Sequence, residues 1–436
     1  MDPAVLCAII MVSLLTLFLL MGVPIGISIG LSSVVALFVV LPVDNVAHLS
    51  ATRMFGGINS FPLVAIPFFI LAGNIMNSGG IARRLVNCAT LVTGRLPGSL
   101  AQTNIVANML FGTVSGSGAA AAAAIGGIMG PIEEEHGYDK SYSAAVNIAS
   151  APTGMLIPPS NTLIIYAMVA GTVSVSALFM AGYIPGFLWG LGNMVVAGVM
   201  AKKLGYKSSG ERLTIKQKLM ILLDALPSLL MIVVVIGGIL VGAFTPSEGA
   251  AIAVVYALAL SAIYRTIKIK DLPKILMDSA NTTCIVLFII GISTVMSFVM
   301  AFTGIPQAAS SAMMQISDSP IVILLIMNVM LLILGTFMDP TPAILIFTPI
   351  FLPIVMSFGM HPVHFGIMMT FNLCIGAITP PVGTVMFTGC RVAKLTIEDV
   401  FKRLLPFFGV TALVLMAVTY VEPLTMWLPR LLNLVR

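Results

Sequence analysis

Residues 111–127 read FGTVSGSGAAAAAAIGG. The surrounding sequence is hydrophobic, so the question is why a Ser-Gly-Ser-Gly tip breaks it and six alanines resume it. Glycine is unfavourable inside a helix, and serine competes with it for backbone hydrogen bonds. The helix therefore stops at the tip. The alanines restart it with the smallest side chain that favours helix. Lipid offers no hydrogen bonds to freed backbone. Such a break at membrane depth persists only where it lines a cavity or packs inside protein.

The whole chain is of that membrane kind. Of 436 residues, 59% are hydrophobic and 8% charged, with a mean hydropathy of +1.10. A soluble domain carries about 25% charged residues, so this chain cannot wet its own surface. Apolar runs of about 20 residues, the length that crosses the hydrocarbon as helix, recur throughout, and the dyad alternation of an outer-membrane barrel is absent. The start, MDPAVLCAII, has no basic region, so the first run is a retained helix rather than a cleaved signal. Five cysteines lie scattered without a CxxC and are expected to be buried, inert thiols. The net charge of +5 does not point to nucleic acid, because the basic residues sit in particular loops.

Ten spans are expected, over residues 4–21, 24–41, 61–77, 143–170, 175–201, 223–243, 250–264, 276–301, 364–388 and 405–421. Two further apolar regions, 100–130 and 320–356, are read as re-entrant hairpins that return to the side they enter from. With that reading, all of the 21 Lys and Arg except Arg53, Arg430 and Arg436 fall in loops on one side. The positive-inside rule makes that side cytoplasmic, and both termini face outward. If either region spanned once, basic loops would occur on both sides.

The chain also repeats itself. Gly80-Ile81 recurs at Gly304-Ile305 and Gly112-Thr113 at Gly335-Thr336. Pro131, Gly137, Gly154, the Pro158-Pro159 pair and Thr162 recur at a single offset of 222 as Pro353, Gly359, Gly376, Pro380-Pro381 and Thr384. An odd number of spans separates the copies, so the second is inverted. The first arm, residues 80–97, carries three arginines; its counterpart, 304–320, carries no Lys or Arg. The fold class that follows is an all-α polytopic membrane protein with two inverted repeats, each holding one hairpin, as in secondary transporters. Residues 1–60 are N-terminal scaffold helices, 61–201 the first repeat, 202–222 a cytoplasmic loop, 223–275 further scaffold, 276–425 the second repeat and 426–436 a C-terminal tail. Each repeat comprises an arm helix, a hairpin and a broken helix.

Each repeat has two breaks: GTVSGSG (112–118) with GMLIPPSNT (154–162), and GTFMDPTP (335–342) with GAITPPVGT (376–384). Tandem prolines remove donors and unwind the helix locally. Freed carbonyls, hydroxyls and a carboxylate offer hard oxygen to a cation, and half-helix N-termini offer N–H groups to an anion. The candidates are Ser115, Ser117, Ser160, Asn161 and Thr162, then Thr336, Asp339, Thr341, Thr379 and Thr384. Asp339 alone among the acidic residues falls at a hairpin tip, where a charge marks function; a helix-capping role before Pro340 is compatible with that.

At these residues the sequence resembles the large membrane subunit of the tripartite ATP-independent periplasmic (TRAP) transporters. The resemblance rests on FPLVAIPFFILAGNIMNSGGI (61–81), the VSGSGAAAAAAIG tip, LIPPSN (156–161), FTPSEGAA (244–251), MDPTPAILIFTPIFLPI (338–354) and IGAITPPVG (375–383). It covers nearly the whole chain. It implies an elevator-type, sodium-driven carrier of an organic anion such as a C4-dicarboxylate, sialic acid or a sugar acid, in a bacterial inner membrane. It also implies a small four-helix membrane subunit, here a separate chain, and a periplasmic substrate-binding protein. Two or more sodium ions are expected. One would engage Ser115 and Gly116 with the second break, through Gly154, Pro158, Ser160 and Asn161. Another would engage Gly335, Asp339 and Thr341 with Gly376, Thr379 and Gly383. Substrate contacts would fall to Thr113, Ser117, Thr162, Thr336, Asn372 and Thr384. One departure from the family pattern is that residues 118–124 are purely Gly and Ala.

Other signals are weaker. HPVH (361–364) has metal-like spacing but is expected in an outer loop without a third ligand, and EEEH (133–136) reads as a solvated cytoplasmic turn. A stand-alone divalent-anion/sodium symporter of similar architecture is the alternative carrier. An intramembrane protease would need a base or a second aspartate facing Asp339; the four histidines fall in loops or at a span's edge, and no such aspartate is evident.

Overall fold

The computed structural model describes residues 3–206, 214–317 and 319–435. Lys207, Arg212 and Arg436, counted above for orientation, lie outside them, as does the middle of the loop 202–222. Among the described residues every regular element is a helix. Eight helices are long and apolar enough to cross a bilayer. Two of these, Pro320–Phe337 and Pro340–Ser357, are the arms of the second hairpin. The other six, with Val5–Leu19, Ile25–Leu37 and two broken segments, correspond to the ten expected spans.

Both hairpins return. In hairpin 1, Ser99–Ser115 reverses into Gly118–Glu135, and the two feet meet where Asn104 Nδ2 donates to Glu133 Oε1 at 3.3 Å. The reversal needs Gly116, which sits at φ +60°, a conformation that side chains resist. In hairpin 2, Pro320 at one foot and Phe358 at the other border the same cavity. Its tip turns differently, through extended Met338 and Asp339, with Pro340 opening the next helix.

The expected breaks are present. Lys140–Ser150 gives way to a short 3-10 turn at Ala151–Met155 and resumes as Asn161–Ala170. Pro362–Gly376 stops and resumes as Thr384–Ala393. The Pro158-Pro159 and Pro380-Pro381 peptide bonds are both cis. Each hairpin crosses its broken helix at a matched glycine pair. A Cβ on Gly112 would lie 2.5 Å from the Gly154 Cα, and one on Gly376 would lie 2.5 Å from the Gly335 Cα. The broken helices run antiparallel. Tyr166, near the end of the first, donates to the carbonyl of Pro362 at the start of the second (2.7 Å). At the opposite end, a Cβ on Gly389 would lie 2.3 Å from the Ile148 side chain.

Loops that the charge count assigns to one side are joined there. Arg84 pairs with Asp224 at 3.0 Å and lies 3.6 Å from the Tyr264 ring; Arg403 pairs with Asp139 at 2.9 Å. Two elements escape the hydropathy reading. Val43–Ile58 is a helix, hidden in the sequence by Asp44, Asn45, His48 and Arg53. Its Gly57 meets Thr294 of the long arm helix Leu272–Thr303. Pro423–Leu431 is also a helix and runs into the segment read as tail, because Thr425, Met426 and Pro429 are buried. Of the cysteines expected to be buried, Cys284 is exposed: its position on Leu272–Thr303 faces away from the protein interior, although the residue is apolar.

Candidate functional site

A cavity of about 260 Å³ lies where the two tips meet two long helices, Ala65–Ser78 and Leu272–Thr303, called the arm helices. Four helices begin on it: Gly118–Glu135, Asn161–Ala170, Pro340–Ser357 and Thr384–Ala393. Ala119 and Ala120, Asn161 and Thr162, Thr341, and Thr384 and Val385 from their first turns all line it. Four positive dipole ends thus converge on one space, a setting for an anion. Among the described residues no Lys or Arg lines it.

The same cavity collects oxygen. Ser115 and Gly116 end the first arm of hairpin 1. The Ser115 hydroxyl reaches the Ser117 carbonyl at 3.3 Å. A Cβ at Gly116 would lie 2.9 Å from the Asn161 amide, so the glycine lets the tip rest on that side chain. Asn161 Oδ1 is buried without a hydrogen-bond partner, an acceptor that a cation would satisfy. Across the cavity, Asp339 occupies the N-cap position of Pro340–Ser357, and its Oδ1 accepts the Thr384 hydroxyl at 3.1 Å. The capping position and the cavity position are one. Carboxylate, hydroxyl and amide oxygens suit a hard cation such as sodium.

Of the sequence candidates, Ser115, Gly116, Ser117, Asn161, Thr162, Asp339, Thr341 and Thr384 line the cavity together. Others stand behind it. Gly154, Gly335 and Gly376 are used in the backbone crossings. Ser160 caps Asn161–Ala170 and donates to the Met155 carbonyl. The Thr379 hydroxyl donates to Ile375, and Gly383 donates to the Thr379 carbonyl at 3.2 Å. Pro158 and Gly383 belong to the two unwound links. The expected substrate contacts Thr113, Thr336 and Asn372 do not reach the cavity. Thr113 and Thr336 turn back to the carbonyls of Leu110 and Ile333. Asn372 is fully buried and donates to Asn328 O and Oδ1 at 3.0 and 2.7 Å, tying broken helix 2 to hairpin 2.

Three polar cavity residues were not anticipated: Asn74 and Asn77 on the arm helix Ala65–Ser78 and Thr282 on the other arm. Two asparagines three residues apart in an otherwise apolar helix were the available signal. Asn74 donates to Ser279 of the second arm at 2.8 Å. On the same face Gly73 lets the first tip approach, since a Cβ there would lie 3.2 Å from the Ser115 Cα.

Two readings of polar clusters change. Glu133 is not part of a solvated turn: it is 0% exposed, on the inward stripe of its helix. His364 is not in a loop either. It is buried in Pro362–Gly376, with Nδ1 2.5 Å from Thr425 Oγ1 and Nε2 3.1 Å from the Thr419 carbonyl. No group of three His, Cys, Asp or Glu among the described residues could hold a metal.

Residues 12–424 match the family model described as tripartite ATP-independent periplasmic transporter, DctM component. The chain belongs to that family. It is therefore a multi-pass membrane permease and not an enzyme. It is 52% identical over 415 residues to an uncharacterized protein, YgiK, of Salmonella typhimurium, covering 95% of each chain. It is 37% identical over 443 residues to the C4-dicarboxylate TRAP transporter large permease protein DctM of Rhodobacter capsulatus, covering 98% of this chain and 100% of the relative. The fold is similar to that of the Alcanivorax borkumensis YdaH transporter, whose crystal structure is described as having an unusual topology. The TM-score is 0.66 at 14% identity, over 98% of this chain and 100% of that one.

Proposed function

We propose that this permease imports an organic anion, a carboxylate such as a C4-dicarboxylate, sialic acid or a sugar acid, together with sodium ions. The observation that carries the reading is the cavity itself: among the described residues, four helix N-termini, one carboxylate and no basic side chain. An anion there is held by N–H groups, by hydroxyls and amides of Ser117, Thr162, Thr384, Asn74 and Asn77, and by the co-transported cations. Ser115, Gly116 and Asn161 supply oxygen for one sodium, and Asp339 and Thr341 for another. Binding of the anion next to these cations neutralises a charge that would otherwise stay buried, which couples the two fluxes.

Movement follows an elevator. The hairpins and broken helices form one packed unit through the Gly112–Gly154 and Gly335–Gly376 crossings. The arms face that unit across the cavity, with Gly73 leaving room for the first tip. The partners are a small four-helix membrane subunit and a periplasmic binding protein, in a bacterial inner membrane with both termini periplasmic. The test is uptake into proteoliposomes. The expected result is transport that needs a sodium gradient, the small subunit and the binding protein. Uptake without sodium would refute the coupling, and full transport by the single chain would favour a stand-alone symporter.

A further inference from the structure

A second polar cavity, of about 220 Å³, lies at the foot of hairpin 1, at the end of the molecule that carries the basic loops. Asn104, Glu133, Ser143 and Asn147 line it, and so do Glu134, Lys140 and Lys394. Glu133 is 0% exposed. Its Oε1 accepts from Asn104, and its Oε2 makes no hydrogen bond. The Ser143 hydroxyl faces the same carboxylate, and its residue is 7% exposed, yet it makes no hydrogen bond of ordinary geometry. Among the described residues no cationic side chain pairs with Glu133; Lys140 is engaged by Glu134 at 2.8 Å. A buried carboxylate in that condition is strongly disfavoured unless something compensates it.

The inverted repeat provides an internal control. At the positions matching Asn104, Asn108, Glu133 and Asn147 the second repeat has Met327, Leu331, Val355 and Met369, all 0% exposed. The same positions of hairpin and broken helix face each other in both copies. A Cβ on Gly126 would lie 2.4 Å from the Asn147 amide; at the matching positions Thr348 Oγ1 lies 3.5 Å from Met369 Sδ. The architecture can thus be closed with apolar side chains, and the polar set in the first repeat is not needed to hold hairpin to broken helix.

We propose that this foot cavity binds one monovalent cation, coordinated by Glu133 and Ser143 with amide oxygen from Asn104 and Asn147. The donors are all oxygen with a single carboxylate. That matches an alkali ion, whereas a calcium site gathers more carboxylate charge and softer metals need imidazole or thiolate. Glu133 belongs to the hairpin, and Ser143 and Asn147 to the broken helix, so the ion ties those elements together. Asn108 extends the contact. It donates to the oxygens of Asn104, Asn147 and Ser150 at 2.9 to 3.0 Å, one turn from the Gly112–Gly154 crossing beneath the tip. Occupancy at the foot is in this way linked to the geometry of the tip. The choice of sodium as the ion rests on the function proposed above; the charge argument does not.

Equilibrium binding of radioactive sodium to the purified full chain tests the site. Glu133→Gln should lose one bound equivalent, Asp339→Asn a different one, and the double variant both. Ser143→Ala, the milder change, should weaken one class of site by about tenfold, the usual reach of one hydrogen-bonding ligand. If Glu133→Gln and Ser143→Ala both keep the wild-type stoichiometry and affinity, the site is refuted, including the case where Glu133 exchanges only a proton. If Asp339→Asn alone loses sodium, the tip reading stands and the foot site falls. If the wild-type chain binds no sodium, both fall.

Discussion

Asparagine at position 339 removes one charge and almost no volume. Its amide oxygen can still accept the Thr384 hydroxyl that Asp339 Oδ1 accepts at 3.1 Å, so the link between hairpin 2 and broken helix 2 is kept. What disappears is the only carboxylate that lines the cavity among the described residues, where no Lys or Arg compensates it. Two unit charges about 4 Å apart attract by about 4 kcal/mol at an effective dielectric of about 20. That is close to three decades in affinity. The amide oxygen retains part of the coordination, so sodium affinity should fall roughly 100- to 1000-fold. Two assays measure it: the sodium concentration that half-saturates uptake in proteoliposomes, and the rise of the unfolding midpoint with sodium. Without sodium the variant should be as stable as the wild type or more so, since an uncompensated charge has gone. With sodium only the wild type should gain. Unchanged sodium affinity in Asp339→Asn would overturn the assignment of this carboxylate to a cation.

Thr384→Val keeps the shape and deletes that hydroxyl; loss of a hydrogen bond to a charged group should lower sodium affinity by about 1.5 kcal/mol, or roughly tenfold, in the same titration. Gly154→Ala would put a methyl 2.1 Å from the Gly112 Cα. The hairpin must then part from the broken helix by over about 1 Å, at a cost of about 1–3 kcal/mol. Gly376→Ala should behave alike, and thermal unfolding that leaves both variants unchanged would deny the matched crossings. Gly73→Leu fills the approach of the arm to the first tip; it should abolish uptake while equilibrium sodium binding survives, and normal uptake would argue against an elevator moving past this face.

The backbone features were legible because they rest on residues that dictate backbone. Gly116 at a left-handed turn, the tandem prolines and the recurring glycines force their conformations wherever they stand. Their spacing revealed the repeat, and the loop charges then distinguished hairpins from spans. Hydropathy alone would have misled, since both arms of hairpin 2 are apolar enough to cross a bilayer. Side-chain direction was harder to read. Thr384 and Asn372 both sit on polar-looking stretches of broken helix 2, yet Thr384 meets Asp339 on the cavity while Asn372 finds Asn328 in the core. Nothing local distinguishes them; the partner across the interface does.

Glu133 differs in kind, because its burial was readable. The sequence EEEH suggests a solvated turn only if polarity is taken residue by residue. Residues Gly118, Ala121, Ala122, Ile125 and Met129 form one buried stripe along the helix, and its next member is Glu133. Glu134 and Glu135, each a step of about 100° further around, fall on the exposed side. Helical phase therefore selects one carboxylate of three and drives it inward. The equivalent stripe in the second repeat ends in Val355. A polar residue on an apolar stripe, in one copy of a repeat and not the other, is a stronger sign of function than a polar cluster. It departs from what the fold itself requires.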